Sequence, residues 1–273
     1  MKPGEGRLAP IVMAAFGTTR QAMATYSFIH EACVRRFPGH PVYWAFSSRV
    51  VKEVRNQEGG NLRHPDEVLR ELADQGHEWA VVQSLHLMCG HEFYRMVDTV
   101  LSAPLRCSVG LPLLHCPADY QAVVDVIMRD CDLYRNGPCR PEGAPENSSD
   151  AVVLVGHGTD HPSWCSYVAL DHIFRGRGAK GLYVGVVEQG YPKMADVIRE
   201  VRAAGYRRVR LVPFLLVAGM HFEEDLSGKR NSWKTGFEDA GIDVSLEDRG
   251  IGLNPGVVDI FCRHIADALA LVS

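Results

Sequence analysis

Short apolar runs, each closed by a turn, alternate along this chain with longer stretches whose apolar residues recur at helical spacing. The short runs read as buried parallel strands and the longer stretches as amphipathic helices. A first strand is expected over Pro10–Phe16, then a helix over 21–36 carrying Ala24, Phe28 and Ala32, closed by Phe37-Pro-Gly. Val42–Phe46 is the next strand, and Pro65 opens a helix to about Asp74 with Val68, Leu69 and Leu72 on its apolar side. Strands over 80–87 and 107–113 follow, separated by a helix to about Leu101, and a further helix runs over 117–135. Residues 136–150 hold three prolines and two glycines and read as a linker. Beyond it the cadence returns. Strands are expected over 151–155, 182–187, 209–217 and 244–247. Helices are expected over 163–174 and 193–204, from about Ser232, and over 255–271.

The two halves align as well as alternate. At an offset of 129, Val68-Leu-Arg-Glu-Leu-Ala-Asp-Gln-Gly76 overlays Val197-Ile-Arg-Glu-Val-Arg-Ala-Ala-Gly205, which places Gly90 on Gly219 and Glu92 on His221. At an offset of 141, Phe16 stands where His157 stands, and at 140 Ser48 meets Glu188. A repeat unit this long indicates two duplicated lobes rather than a solenoid. Strands alternating with helices make each lobe an α/β, doubly wound parallel sheet. The lobes are expected at 1–135 and 151–273, with 136–150 between them and the last helix free to pack across to the first lobe. Facing lobes would leave an inter-lobe cleft, a favoured ligand site.

Composition narrows the function classes. The chain has 273 residues, 46% hydrophobic and 23% charged, an ordinary globular balance. Its net charge of −4 and the lack of any Lys/Arg block argue against nucleic-acid binding. No apolar run reaches the length of a membrane span, and the first apolar stretch serves better as a core strand than as a signal peptide, so a cytoplasmic protein is expected. The eight cysteines form no Cys-x-x-Cys pair and read mostly as small buried hydrophobes. Neither a Gly-x-Gly-x-x-Gly after a first strand nor a Walker sequence occurs, which counts against a nucleotide site.

The chemistry concentrates after the strands. The run 151–155 stops at Gly156-His-Gly-Thr, and ligands of open α/β sheets bind beyond the carboxyl ends of the strands. Taken alone, His157 suits a structural loop histidine better than a ligand, and Glu188 suits a helix cap equally well. Together, His157, Glu188 and His221 fall after strands of one lobe, where the other has Phe16, Ser48 and Glu92. Imidazoles with a carboxylate suit Co2+, Ni2+, Fe2+ or Zn2+. His161 and His172 read as supporting or structural, and His86 as a second-tier candidate.

Several stretches resemble one family. Ala-Phe-Gly-Thr-Thr-Arg (15–20), Ala-Phe-Ser-Ser-Arg (45–49), Leu-His-Leu-Met-Cys-Gly-His-Glu-Phe (85–93), Gly-His-Gly-Thr-Asp-His-Pro (156–162), Val-Glu-Gln-Gly-Tyr-Pro (187–192) and the run 213–226 are similar to the anaerobic cobalt chelatases of cobalamin biosynthesis. The resemblance covers nearly the whole chain. It implies a two-lobed, ferrochelatase-related fold and ATP-independent insertion of Co2+ into sirohydrochlorin or precorrin-2. Iron insertion for sirohaem and a non-catalytic metal or tetrapyrrole carrier are the alternatives. The resemblance further implies a metal-binding His157, Glu188 and His221, with His157 and Glu92 taking up pyrrole protons. Phe16, Gly17, Thr18, Arg20, Arg49, His86 and Gly90 are expected to bind the substrate, with Arg95, Lys229 and Arg230 as further cations for its carboxylates. The expected partner is a tetrapyrrole, with no nucleic acid, no membrane and a possible homo-oligomer. His91 departs from the family pattern, where a less basic residue is expected.

Overall fold

In the computed structural model of the protein, residues 8–17, 23–48, 62–131, 150–219 and 222–272 are described. The elements, in chain order, are β1 (Ile11–Ala15), α1 (Met23–Arg36), β2 (Val42–Phe46), α2 (Pro65–Asp74), β3 (Trp79–Ser84), α3 (His91–Leu101), β4 (Arg106–Gly110) and α4 (Pro117–Asp130). Then come β5 (Ala151–Gly156), α5 (Cys165–Gly176), β6 (Leu182–Val186), α6 (Met194–Ala203), β7 (Arg208–Phe214), α7 (Trp233–Asp239), β8 (Asp243–Leu246) and α8 (Pro255–Leu269). The expected linker lies outside the described residues except for Asp150.

The strands form two parallel four-stranded sheets of the same design, β2-β1-β3-β4 and β6-β5-β7-β8. The doubly wound α/β architecture expected from the sequence is therefore present twice. In both sheets the first strand is central, and the chain crosses back over it after the second. The crossovers on either side of β1 and β3, and of β5 and β7, thus run in opposite directions, which makes each pair a topological switch point. Both central strands are buried along their whole length, as expected when helices cover both faces of a parallel sheet.

The chain divides into two compact units, one running to His115 and resuming at Leu253, the other spanning Cys116–Gly252. In the first, α2 and α3 cover one face, burying Val68, Leu69, Leu72, Phe93 and Met96 against Val12, Ala14 and Val82. On the other, α1 meets β2 and α8, and α8 meets β3 and β4. In the second unit α6 and α7 bury Val197, Val201, Trp233 and Phe237 against Val153, Val155 and Leu211, while α5 packs on β6 and α4 on α5. The helix after β4 therefore belongs to the second unit and the helix after β8 to the first. Phe174, Phe214, Phe237 and Phe261 are wholly buried; each contributes roughly 1.5–3 kcal/mol of hydrophobic stabilisation.

Local signals account for the helix starts. Pro65 opens α2, with Asp66 and Glu67 in its first turn. The Asn254 side chain accepts a hydrogen bond from the Gly256 amide at 2.9 Å, capping α8. Two strands end earlier than their apolar runs. β3 stops at Ser84 instead of Leu87 because the carbonyls of His86 and Leu87 accept from the amides of Leu113 and Leu114 in the loop after β4. β7 stops at Phe214 instead of Val217, where Leu215 and Leu216 accept from Ile251 and Gly252. No helix among the described residues is long and apolar enough to cross a membrane.

Candidate metal centre

The second unit places its chemistry at the β5/β6 edge of the switch point. Strand β5 ends on Gly156, where a Cβ atom would sit 2.2 Å from the Tyr167 ring, so only glycine lets α5 pack there. The ladder between β5 and β6 continues past both strands. The Val187 amide donates to the Gly156 carbonyl at 2.9 Å, Glu188 to His157 at 2.9 Å, and Thr159 returns a bond to Gln189 at 2.8 Å. Gly158 makes the close approach possible: its φ is +89°, and a Cβ there would lie 2.4 Å from the Gln189 carbonyl oxygen. The two loops are thus zipped by backbone, and the zip holds Glu188 beside His157.

The side chains follow from that frame. His157 Nε2 lies 3.5 Å from Glu188 Oε1, with 43% and 49% of the two side chains exposed. His157 Nδ1 sits 3.1 Å from the Gly158 carbonyl. A carbonyl only accepts, so Nδ1 carries a proton and Nε2 is the nitrogen that faces Glu188. Two donors each about 2.1 Å from one ion at a tetrahedral angle stand roughly 3.4 Å apart. The observed spacing suits a divalent cation shared by the pair. Half-exposure leaves room for that ion to arrive and depart. Among the described residues no three His, Cys, Asp or Glu side chains gather into a complete cation site. The third donor expected from sequence, His221, lies outside the described residues.

Tyr167 reinforces the loop. Its hydroxyl accepts from the Gly158 amide at 3.2 Å, and burial, opposed by that bond, pushes its phenol up to about 12. Tyr26 plays the same part in the first unit: burial raises its phenol, and a hydrogen bond with the Gly17 backbone opposes the rise. As core aromatics these tyrosines carry no chemical signal in the sequence, although they stand 141 residues apart, the offset that relates Phe16 to His157. Trp164 and Tyr191 are exposed aromatics of the same unit. Gly190, which precedes Tyr191, approaches Trp164 closely, a Cβ there being 3.0 Å from Trp164 Cβ. His161 is occupied locally, with Nδ1 accepting from the Ser163 amide at 3.1 Å.

The first unit repeats the zip without the ligands. Ser47 donates to Ala15 at 2.8 Å and Ser48 to Phe16 at 3.0 Å, and Gly17 has a φ of +113°. Phe16 is half-exposed there. Phe16, Ser48 and Glu92 line a cavity of about 510 Å³ together with Ser47, His64 and Arg95. Glu92 sits in the first turn of α3 behind Gly90 and forms an ion pair with Arg95. His86 is held differently. Its Nδ1 meets Ser84 Oγ at 2.9 Å, while its Nε2 is sealed from solvent without a hydrogen-bond partner. Desolvation pushes its imidazole down to about 4. Thr18, Arg20 and Arg49 lie outside the described residues; Lys229 and Arg230 are exposed.

Comparison with known proteins brings these observations together. The family model described as "Cobalt chelatase (CbiK)" matches residues 9–270. The sirohydrochlorin cobaltochelatase of Salmonella typhimurium is 30% identical over 268 residues, covering 95% of this chain and 96% of that protein. The sirohydrochlorin cobaltochelatase CbiKC of Nitratidesulfovibrio vulgaris is 31% identical over 270 residues, covering 95% and 90%. Among solved structures, SirB from Bacillus subtilis with Fe3+ superposes with a TM-score of 0.67 at 18% identity, covering 97% of this chain and 96% of that one. The sirohydrochlorin chelatase SirB of Bacillus subtilis subspecies spizizenii, in complex with cobalt, gives 0.63 at 17% identity, covering 96% and 95%. At that identity the structures speak to the fold alone, and it is the same fold.

Proposed function

The chain belongs to the cobalt chelatase family, and from that membership we propose that it inserts Co2+ into sirohydrochlorin or its unoxidised precursor precorrin-2, without ATP. The observation that carries the reading is the His157–Glu188 pair, whose 3.5 Å separation suits a shared divalent cation. The metal is substrate, so the site must hold it and give it up. Neutral imidazole and carboxylate bind borderline divalent ions without the grip of a thiolate cage. His157 is assigned as ligand and proton acceptor, with Glu188 and His221 as ligands. Glu92, in the first unit, is assigned proton uptake.

Insertion requires the macrocycle to lose its pyrrole N–H protons as the ion sheds water and exchanges protein donors for ring nitrogens. An imidazole, which both takes up and releases protons, is suited to that transfer. The bond from His157 Nδ1 to the Gly158 carbonyl puts a proton on Nδ1 and makes Nε2, which faces Glu188, the nitrogen assigned to metal and proton. Phe16, Gly17, Thr18, Arg20, Arg49, His86 and Gly90 remain assigned to the macrocycle, with guanidinium groups pairing its carboxylates. The described cysteines are free thiols, which suits a reducing compartment and supports placing the enzyme in the cytoplasm.

The test is anaerobic insertion into sirohydrochlorin, followed by the absorbance of the product, with Co2+, Fe2+ and Ni2+ supplied separately and ATP omitted. Accelerated Co2+ insertion is the expected result. Faster insertion of Fe2+ than of Co2+ would reassign the enzyme to sirohaem synthesis. Tight sirohydrochlorin binding with no acceleration by any metal would make the protein a carrier.

A further inference from the structure

The first unit's cavity contains a histidine that the reading above does not use. His64 is the residue before α2, and it is held at the end of β2 by the Phe46 amide, which donates to the Arg63 carbonyl at 2.8 Å. Its own amide donates to Glu67 Oε2 at 2.6 Å, which fixes the backbone. Its ring Nδ1 lies 2.5 Å from Asp66 Oδ1. An ionised carboxylate only accepts, so Nδ1 carries the proton and Nε2 is the nitrogen left to exchange one. An imidazole oriented by a carboxylate is a general-base arrangement. The side chain of His64 is 15% exposed, and the residue lines the same cavity as Glu92 and Arg95.

We propose that His64, oriented by Asp66, relays to solvent the protons that Glu92 takes from the tetrapyrrole. The proposal rests on the chelatase reading and deepens it. A pyrrole N–H bond breaks, its electron pair stays on the ring nitrogen that binds the incoming ion, and the proton goes to the Glu92 carboxylate. Cavity water passes it to His64 Nε2, and the resulting imidazolium releases it outward. The cavity of about 510 Å³ has the space for such waters, at roughly 30 Å³ each. The charges facing the relay are suited to it. Asp66 and Glu67 from α2 and Glu92 from α3 favour the imidazolium, while Arg95 is engaged with Glu92 and Arg63 with Glu71. Burial alone would raise the Asp66 carboxyl, but the hydrogen bond and charge of His64, with Arg70, hold it below the usual range. Asp66 therefore stays ionised as the counter-charge.

His64→Asn tests this, because asparagine keeps a residue favoured before a helix and removes the exchangeable imidazole. The variant should melt as wild type does and bind sirohydrochlorin with a KM within about twofold. Its kcat for Co2+ insertion at pH 7 should fall at least about tenfold, and the deficit should shrink as pH rises toward 8. Asp66→Asn, which leaves the ring without its orienting charge, should show a smaller loss with the same pH trend. A kcat within about twofold of wild type in His64→Asn, or a loss confined to KM, overturns the relay while leaving the chelatase reading standing. Failure of the wild-type enzyme to insert Co2+ in the same assay brings down the function and the relay with it.

Discussion

The loops after β1 and after β5 are the same backbone carrying different chemistry. In each, a glycine with positive φ follows the strand-end residue: Gly17 at +113° and Gly158 at +89°. In each, the neighbouring loop donates two amides to it, Ser47 and Ser48 in one unit and Val187 and Glu188 in the other. In each, a buried tyrosine bonds the glycine, Tyr26 or Tyr167. Only the side chains held by this frame differ: phenyl and hydroxyl at 16 and 48, imidazole and carboxylate at 157 and 188. The zip is therefore a property of the fold, and the proposed cation binding a property of two side chains placed on it. The first unit has the same frame, and there Phe16 and Ser48 line a cavity with Glu92, the proposed proton acceptor.

The sharpest way to break the comparison is to make the second loop like the first. His157→Phe copies the residue at 16 into a frame that already accepts phenylalanine. Insertion of Co2+ should fall at least about tenfold, with the melting temperature unchanged, as read by the absorbance assay and by thermal unfolding.

A second contrast lies after β3 and β7. His86 stands 129 residues before Leu215, the position at which the repeat predicts its counterpart, and Leu215 is buried. The His86 imidazole is held down to about 4 by desolvation, against about 6.5 unfolded. Above pH 6.5 neither state is protonated and the histidine adds no pH dependence. As pH falls below 6.5 the unfolded chain gains a proton that the folded chain refuses, so stability drops until pH 4, by up to about 3 kcal/mol. His86→Leu should remove that slope, measured as denaturant unfolding at pH 7 and pH 5. Parallel slopes in the two proteins would show that the ring is not desolvated.

Smaller effects probe the frame itself. Gly158→Ala forces a Cβ onto the Gln189 carbonyl and a side chain into left-handed backbone, at a cost of about 1–3 kcal/mol. It should lower both the melting temperature and insertion, because Glu188 loses its register with His157. Tyr167→Phe removes only the acceptor of the Gly158 amide. A loss of about 1 kcal/mol is expected, with a minor change in rate. If Tyr167→Phe costs as much activity as His157→Phe, the frame and the chemistry are not separable.

The sequence shows both sheets because a parallel strand buried on both faces, such as 151–155, leaves an unbroken apolar run. The duplication is legible in the offsets of 141 and 140, and the backbone bonds to Phe16 and His157 bear that alignment out. Strand ends are less legible: Leu85 to Leu87 and Leu215 to Val217 are as apolar as the strands before them, and only the partner loops decide where pairing changes hands. The His157–Glu188 pair is visible as two strand-end residues. The Gly158 turn that sets their spacing is not, because its cause is a carbonyl thirty-one residues away, at Gln189. The Tyr26 and Tyr167 clamps are in the repeat, but as core aromatics they carry no chemical signal. His64 aligns with Lys193, each the residue before its helix, so the repeat marks it only as a cap and its chemistry emerges from the cavity it shares with Glu92.

His157 and Glu188 are proposed to hold the metal substrate between them. Titration of Co2+ without tetrapyrrole, followed by the visible absorption of the bound ion, tests this most directly on wild type, His157→Phe, Glu188→Gln and the first-unit variant Glu92→Gln. Binding should weaken at least about tenfold in the His157 and Glu188 variants and stay close to wild type in the Glu92 variant. Wild-type affinity in the His157 and Glu188 variants would contradict that assignment.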